Sequence, residues 1–290
     1  MRRVAGLPVY LLVVDLVVLA AIPGILVAVH FGVPAAHEML AFDHGRVRGY
    51  TLLTTAYVHG SDAHLYSNLV AYALIVWFPY LLSVSTDDRR WFYWVTATLL
   101  VVVPVLTSLT NYLVLGLMYP SVVPISLGFS SVIAGLIGLY LVSIMRLVAD
   151  HYSWHLAGLT GLSLGVEVIQ IAAVRYDPRL TVGSLAVLVT AGLVVTRRDG
   201  WQERISIAWA AIQERTVVIQ VLFVVLLAVN AGVYIRWLFP RPEQFVRDAG
   251  VINVVGHTTG LACGVVIALA ATRLGDTSIF PQSPRSRSSN

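Results

Sequence analysis

Long apolar runs with at most one charge each, separated by short polar stretches, organise almost the whole chain. A helix must present about 20 apolar residues to cross roughly 30 Å of hydrocarbon. Eight runs approach that length, at 9–30, 63–82, 92–117, 130–148, 156–174, 180–196, 217–239 and 251–272, the shortest being 180–196. The pattern predicts an all-α polytopic membrane protein with eight spans in total, within residues 1–275. Arg2 and Arg3 precede the first run, which is longer than the apolar core of a signal peptide and therefore reads as an uncleaved span. The tail at 276–290, rich in Ser, Pro and Arg, reads as disordered.

Composition points the same way. Of 290 residues, 58% are hydrophobic and 12% charged, against about 25% charged in an ordinary soluble domain. So little polar surface excludes an ordinary cytoplasmic enzyme, and so much apolar surface excludes a disordered protein. The lipid bilayer is the expected surrounding. The basic residues are all Arg and lie scattered between the spans without forming a stripe, so the net charge of +4 does not indicate nucleic acid as a partner. The single Cys263 excludes an internal disulfide and reads as packing. Arginines are more numerous in the connectors that lie inside when the N-terminus is inside, which favours both termini inside. A prokaryotic plasma membrane is the expected location. Trp91, Trp94, Trp201 and Trp237, near span ends, read as interfacial anchors.

From Trp91 to Met145 no residue carries a formal charge. Two crossings use about 40 of these positions. The remaining connector, Met118 to Leu127, contains Pro120 and Pro124 and is still uncharged. Irregular backbone at membrane depth survives only when buried in protein or lining a wet cavity. The connector is therefore expected to dip into the membrane, so that the helix after it starts below the outer surface.

Polar side chains near span ends form three clusters: His59, His64 and Asn68; Gly128-Phe129-Ser130-Ser131; and His257, Gly260 and Gly264. His64 and Asn68 are one helical turn apart and share a face. By parity, the three spans carrying these clusters all run from outside to inside, with each cluster early in its span. A serine, two histidines and an asparagine are thereby expected at one depth. Ser130 would need a base to become a nucleophile, and His257 titrates in the right range to serve. The backbone N–H of Ser130 at a helix N-terminus, the Asn68 amide and the His64 ring are candidate oxyanion donors. No carboxylate is placed to complete a triad, so the chemistry reads as a Ser-His dyad. The five-residue spacing of His59 and His64 suits one helix face poorly, and no metal site is expected.

These motifs resemble those of the rhomboid intramembrane serine proteases. His59, His64 and Asn68 are similar to the family's His-x4-His-x3-Asn pattern. Gly128-Phe129-Ser130-Ser131 is similar to its Gly-x-Ser-Gly motif, and His257, Gly260 and Gly264 to its His-x2-Gly-x3-Gly pattern. The resemblance covers roughly 9–272. It implies a six-helix core with Ser130 as nucleophile, His257 as base, and His64 and Asn68 at the oxyanion site. Gly128 and His59 would belong to the same site. It also implies an endopeptidase that cuts transmembrane segments of other membrane proteins near their outer ends, without metal, cofactor or ATP.

Three departures stand out. Ser131 replaces the family's second glycine. Tyr50 and Thr51 stand where the family carries a Trp-Arg pair, with Arg46 and Arg48 upstream. Four spans, not two, follow the serine helix. An inserted hairpin at 156–196 is the more economical account of the excess, with an insertion at 180–239 as the alternative; in the first, 217–239 becomes the fifth core helix, and Pro240 to Gly250 caps the site. Two rival readings remain: a non-catalytic rhomboid-like protein that binds membrane clients, and a small transporter built on the intramembrane carboxylates Asp15 or Glu167.

Overall fold

The computed structural model describes residues 3–4, 7–33, 36–118, 125–176, 215–239, 246–247, 250–251 and 253–276. Ten α-helices lie among these residues: α1 (Val9–Gly32), α2 (Ala36–Leu40), α3 (Thr51–Thr54), α4 (Asp62–Ile75), α5 (Trp77–Ser85), α6 (Arg89–Met118), α7 (Ser130–His151), α8 (Trp154–Tyr176), α9 (Arg215–Leu238) and α10 (Val254–Asp276). Six stretches are long and apolar enough to cross a membrane: α1, α4 with α5, and the greater part of α6, α7, α9 and α10. In α8 the apolar stretch is shorter, Leu156–Ile171. The candidate span at 180–196 lies outside the described residues, as do the tail beyond 276 and most of the Pro240–Gly250 loop. The chain is thus an all-α polytopic membrane protein.

In a bilayer core every backbone polar group needs a partner within the protein. Prolines inside helices break this rule locally, because each removes the N–H that would bond the carbonyl four residues earlier. Pro23 leaves the Leu19 carbonyl free, and the Tyr72 hydroxyl donates to it at 3.0 Å. Pro104 leaves the Leu100 carbonyl free, and the Tyr57 hydroxyl donates to it at 2.7 Å. Each repair also ties one helix to another segment, α1 to α4 and α6 to the turn before α4.

The bundle has two chemically distinct ends. At one, Asp15 is 1% exposed and held by Arg89 (Nε to Oδ2 2.6 Å), with the Tyr80 hydroxyl donating at 2.7 Å. Arg146 pairs with Asp88 at the same end and donates to the Thr272 hydroxyl at 3.2 Å. Asp15 is therefore a paired structural carboxylate that joins α1 to the start of α6. The other end carries His30, His59, His64 and His257, with the N-termini of α4, α7 and α10.

Helix α7 is the centre: 78% of its apolar window is buried, against 17% for α1. Its closest neighbour is α10, and glycines set the distance. A Cβ at Gly138 would fall 2.5 Å from the Leu261 carbonyl oxygen and 2.7 Å from the Val265 nitrogen. Gly260 lies against the Ser131 carbonyl, and Gly264 against the Gly135 carbonyl. The matched four-residue steps show that α7 and α10 run parallel, with backbones in contact. One turn of extra side chain would separate them.

That packing gives a direct test. Gly138→Ala overpacks the crossing and is expected to cost about 1–3 kcal/mol, read as a lowered thermal midpoint in detergent. Gly165→Ala on α8, where an added Cβ meets nothing within 4 Å, should leave the midpoint unchanged or raised. Equal midpoints for the two variants would show that the crossing tolerates a side chain.

Candidate active site

The segment leading into α7 is built by pairing with the loop after α2. Phe42 and Asp43 pair antiparallel with Ser126 and Ile125. Thr55 completes the join: its hydroxyl donates to the Ser126 carbonyl and accepts from the Phe42 N–H, and its carbonyl accepts from the Gly128 N–H at 3.0 Å. Gly128 then turns the chain at φ 110°, a conformation that suits glycine. A Cβ there would also strike the His64 ring, 2.5 Å from Cε1. The sequence-predicted pair Gly128 and His64 is thus in contact, with the ring filling the space that the missing side chain leaves.

Helix α7 starts immediately afterwards. Its N-cap, Phe129, offers no side-chain acceptor. The first amides of a helix lack intrahelical partners, so the N–H groups of Ser130 and Ser131 are available as donors at the positive end of the helix dipole. Helix α10 starts differently. The Asn253 side-chain oxygen accepts from the Gly256 N–H at 2.7 Å, capping the turn that carries His257.

Ser130 and His257 line one cavity of about 30 Å³ at the histidine end, together with Gly128, Ser131 and residues of α6. His257 is 6% exposed. Its Nδ1 lies 2.7 Å from the Leu238 carbonyl at the end of α9. A carbonyl can only accept, so Nδ1 carries the proton and Nε2 keeps a lone pair, the tautomer that a general base requires. Among the described residues no direct hydrogen bond joins Ser130 to His257; the two groups share the cavity.

Other predicted residues stand further back. His59, His64 and Asn68 do not contribute to the cavity wall. Asn68 is 1% exposed, and its amide donates to the His64 carbonyl at 3.1 Å, one turn back on its own helix. The His59 and His64 rings pack edge to face, with centroids 5.0 Å apart. The row extends to His30, 6.4 Å from His59, and to His37, stacked 4.9 Å from His30. Asp62, in the first turn of α4, bonds His30 Nε2 at 2.8 Å. Glu167 lies away from the cavity, beside Gly232 on α9.

Several site residues lay beyond the sequence reading. Thr107 and Asn111, one turn apart on α6, line the cavity; Thr107 Oγ1 and both polar atoms of the Asn111 amide are buried without a partner among the described residues. Polar residues four apart in an apolar run were a usable signal. The Leu238 carbonyl was not, because any residue carries one. The loop that carries Tyr50 and Thr51 has its own anchors. Thr51 Oγ1 donates to the Arg48 carbonyl at 2.6 Å and Thr54 Oγ1 to the Leu40 carbonyl at 2.8 Å, while the Tyr50 hydroxyl donates to the Met39 carbonyl at 3.1 Å.

The cavity offers room for a water molecule with several polar partners. Its walls present a hydroxyl, an imidazole, backbone N–H donors and an amide, which together suit acyl transfer to serine followed by hydrolysis. No protein-family model, no curated protein and no solved structure matches the chain.

His59 supplies a pH test. Burial first, and then the neighbouring His64, His30 and His37 rings, pushes its pKa from 6.5 down to about 3. In the fold it stays neutral where the unfolded chain already binds a proton. Stability contributed by the neutral ring is present above pH 6.5 and is lost as pH falls toward 3. His59→Phe keeps the ring shape and removes that term. Its melting temperature is expected to fall less steeply than wild type between pH 6.5 and 3; identical slopes would show that another group carries the dependence.

Proposed function

We propose that this chain is a rhomboid-type intramembrane serine endopeptidase that cleaves transmembrane segments of other membrane proteins. The observation that carries the reading is the meeting of Ser130 and His257, from two parallel helices, in the wall of one small polar cavity of a predominantly apolar bundle. The motif resemblance, with His64 against Gly128, supports it. The working topology has both termini inside and the cavity opening outside, in a prokaryotic plasma membrane.

The reaction follows from the groups present. A substrate segment unwinds locally and offers its scissile carbonyl at the cavity. His257 Nε2 takes the Ser130 proton as Oγ attacks the carbon. Negative charge gathers on the carbonyl oxygen, where the N–H groups of Ser130 and Ser131 stabilise it, each such donor being worth about 2.7–4 kcal/mol in comparable sites. In this reading Asn68 and His64 reach the oxyanion once substrate has entered, and Asn111 holds the hydrolytic water. His257 then protonates the leaving amine. Water, deprotonated by His257, attacks the acyl-enzyme, and Ser130 regains its proton. Neither metal nor cofactor takes part. The Leu238 carbonyl orients the imidazole throughout.

The test uses a reporter transmembrane protein reconstituted with the enzyme in liposomes. Ser130→Ala and His257→Ala should reduce cleavage to background, and Asn111→Leu should lower kcat by about 10–100-fold. Equal processing by wild type and Ser130→Ala would reject the peptidase reading, leaving client binding without cleavage as the better description.

A further inference from the structure

Thr55 has no part in the chemistry described above, yet two of its polar atoms make three hydrogen bonds at the elbow before Ser130. The residue is 6% exposed and lines the cavity. Its hydroxyl bonds both members of the Phe42/Ser126 pair, donating to the Ser126 carbonyl and accepting from the Phe42 N–H at 3.3 Å. Its carbonyl accepts from the Gly128 N–H. The side chain therefore acts as donor toward the segment before α7 and as acceptor toward the loop after α2. The join between those segments is short, a pair of two-residue strands, so the hydroxyl supplies much of its hydrogen bonding.

We propose that Thr55 is a positioning residue for the Ser130 site. By clamping residues 42–43 to residues 125–126 it fixes where Gly128 turns, where the His64 ring rests, and where the first amides of α7 point. This inference rests on the peptidase reading for its catalytic consequence, but the clamp itself is a statement about the fold. A hydroxyl is needed because one atom must both donate and accept. Serine meets that requirement. Valine has the same shape and meets neither half of it, leaving the Phe42 N–H and the Ser126 carbonyl without this partner.

Wild type, Ser130→Ala, Thr55→Val and Thr55→Ser are compared in liposomes with the reporter substrate, and with a fluorophosphonate that labels reactive serines. Thr55→Val should lower kcat by about 10–100-fold, as for a small misplacement of reacting groups, with KM within about twofold and labelling slowed in proportion. Thr55→Ser should stay within about threefold of wild type in both. An unchanged kcat in Thr55→Val, or equal impairment of the Val and Ser variants, overturns the proposal. If wild type and Ser130→Ala prove indistinguishable, the peptidase reading fails, and amide exchange judges the clamp. Peptides covering 42–43 and 125–128 should then exchange at least about tenfold faster in Thr55→Val than in wild type or Thr55→Ser; equal protection overturns it. Should Thr55→Val not fold, Thr55→Cys, a weak donor and acceptor, replaces it with the same expected split.

Discussion

The backbone contact between α7 and α10 is the constraint on which the site depends. Ser130 and His257 belong to different helices, and neither is held by a bond to the other. What fixes their separation is the glycine register below them, with Gly260 against Ser131, Gly264 against Gly135, and Gly138 against Leu261 and Val265. In lipid there is little hydrophobic gain from burying one apolar helix against another, so close van der Waals approach must do most of the holding. Because the two helices run parallel, matching their steps also aligns their N-termini. A serine at the first position of α7 and a histidine in the first turn of α10 thus reach the same depth.

A second requirement, that backbone polar groups find partners, explains much of the remaining architecture. Tyr72 and Tyr57 satisfy carbonyls exposed by Pro23 and Pro104. Deeper in the bundle the buried Tyr140 hydroxyl finds its own partner, donating to the Leu227 carbonyl at 3.1 Å and so holding α9 against α7. His257 Nδ1 satisfies a carbonyl in the last turn of α9. Each contact joins two elements. Chemistry and packing share one bond at His257: the carbonyl that closes α9 also selects the tautomer of the candidate base.

The helices were legible in the sequence because hydrocarbon thickness is a strict ruler. The run at 63–82 became Asp62–Ser85, interrupted at Val76 between α4 and α5, and the run at 130–148 became Ser130–His151, with its far end extended. The end shifts have local causes, such as the Ser61 hydroxyl accepting the His64 N–H at 3.2 Å and so starting α4 one residue early. Gly128 and His64 were readable as motif residues, and the structure gives their physical basis in a positive φ and a ring in contact. Their neighbours were less legible. His30 and His37 join the histidine row through tertiary packing alone, which no local spacing encodes. Thr55 was invisible because its bonds run to backbone groups far away in the chain, and a threonine in a loop carries no marker of such a role.

Position 131 illustrates how the space that a close helix approach needs can be supplied from one side. A small residue is demanded wherever two backbones touch, but the demand can be met from one side. Here the Ser131 carbonyl faces Gly260, and it is Gly260 that lacks the Cβ. Ser131 itself is 6% exposed and borders the cavity. The approach of α10 is therefore set by the glycines of the His257 helix, together with Gly135 and Gly138 one and two turns further along α7. A glycine at 131 would add backbone freedom to the first turn of α7. With serine there, the turn is stiffer, and the space for the neighbouring helix is left open from the other side.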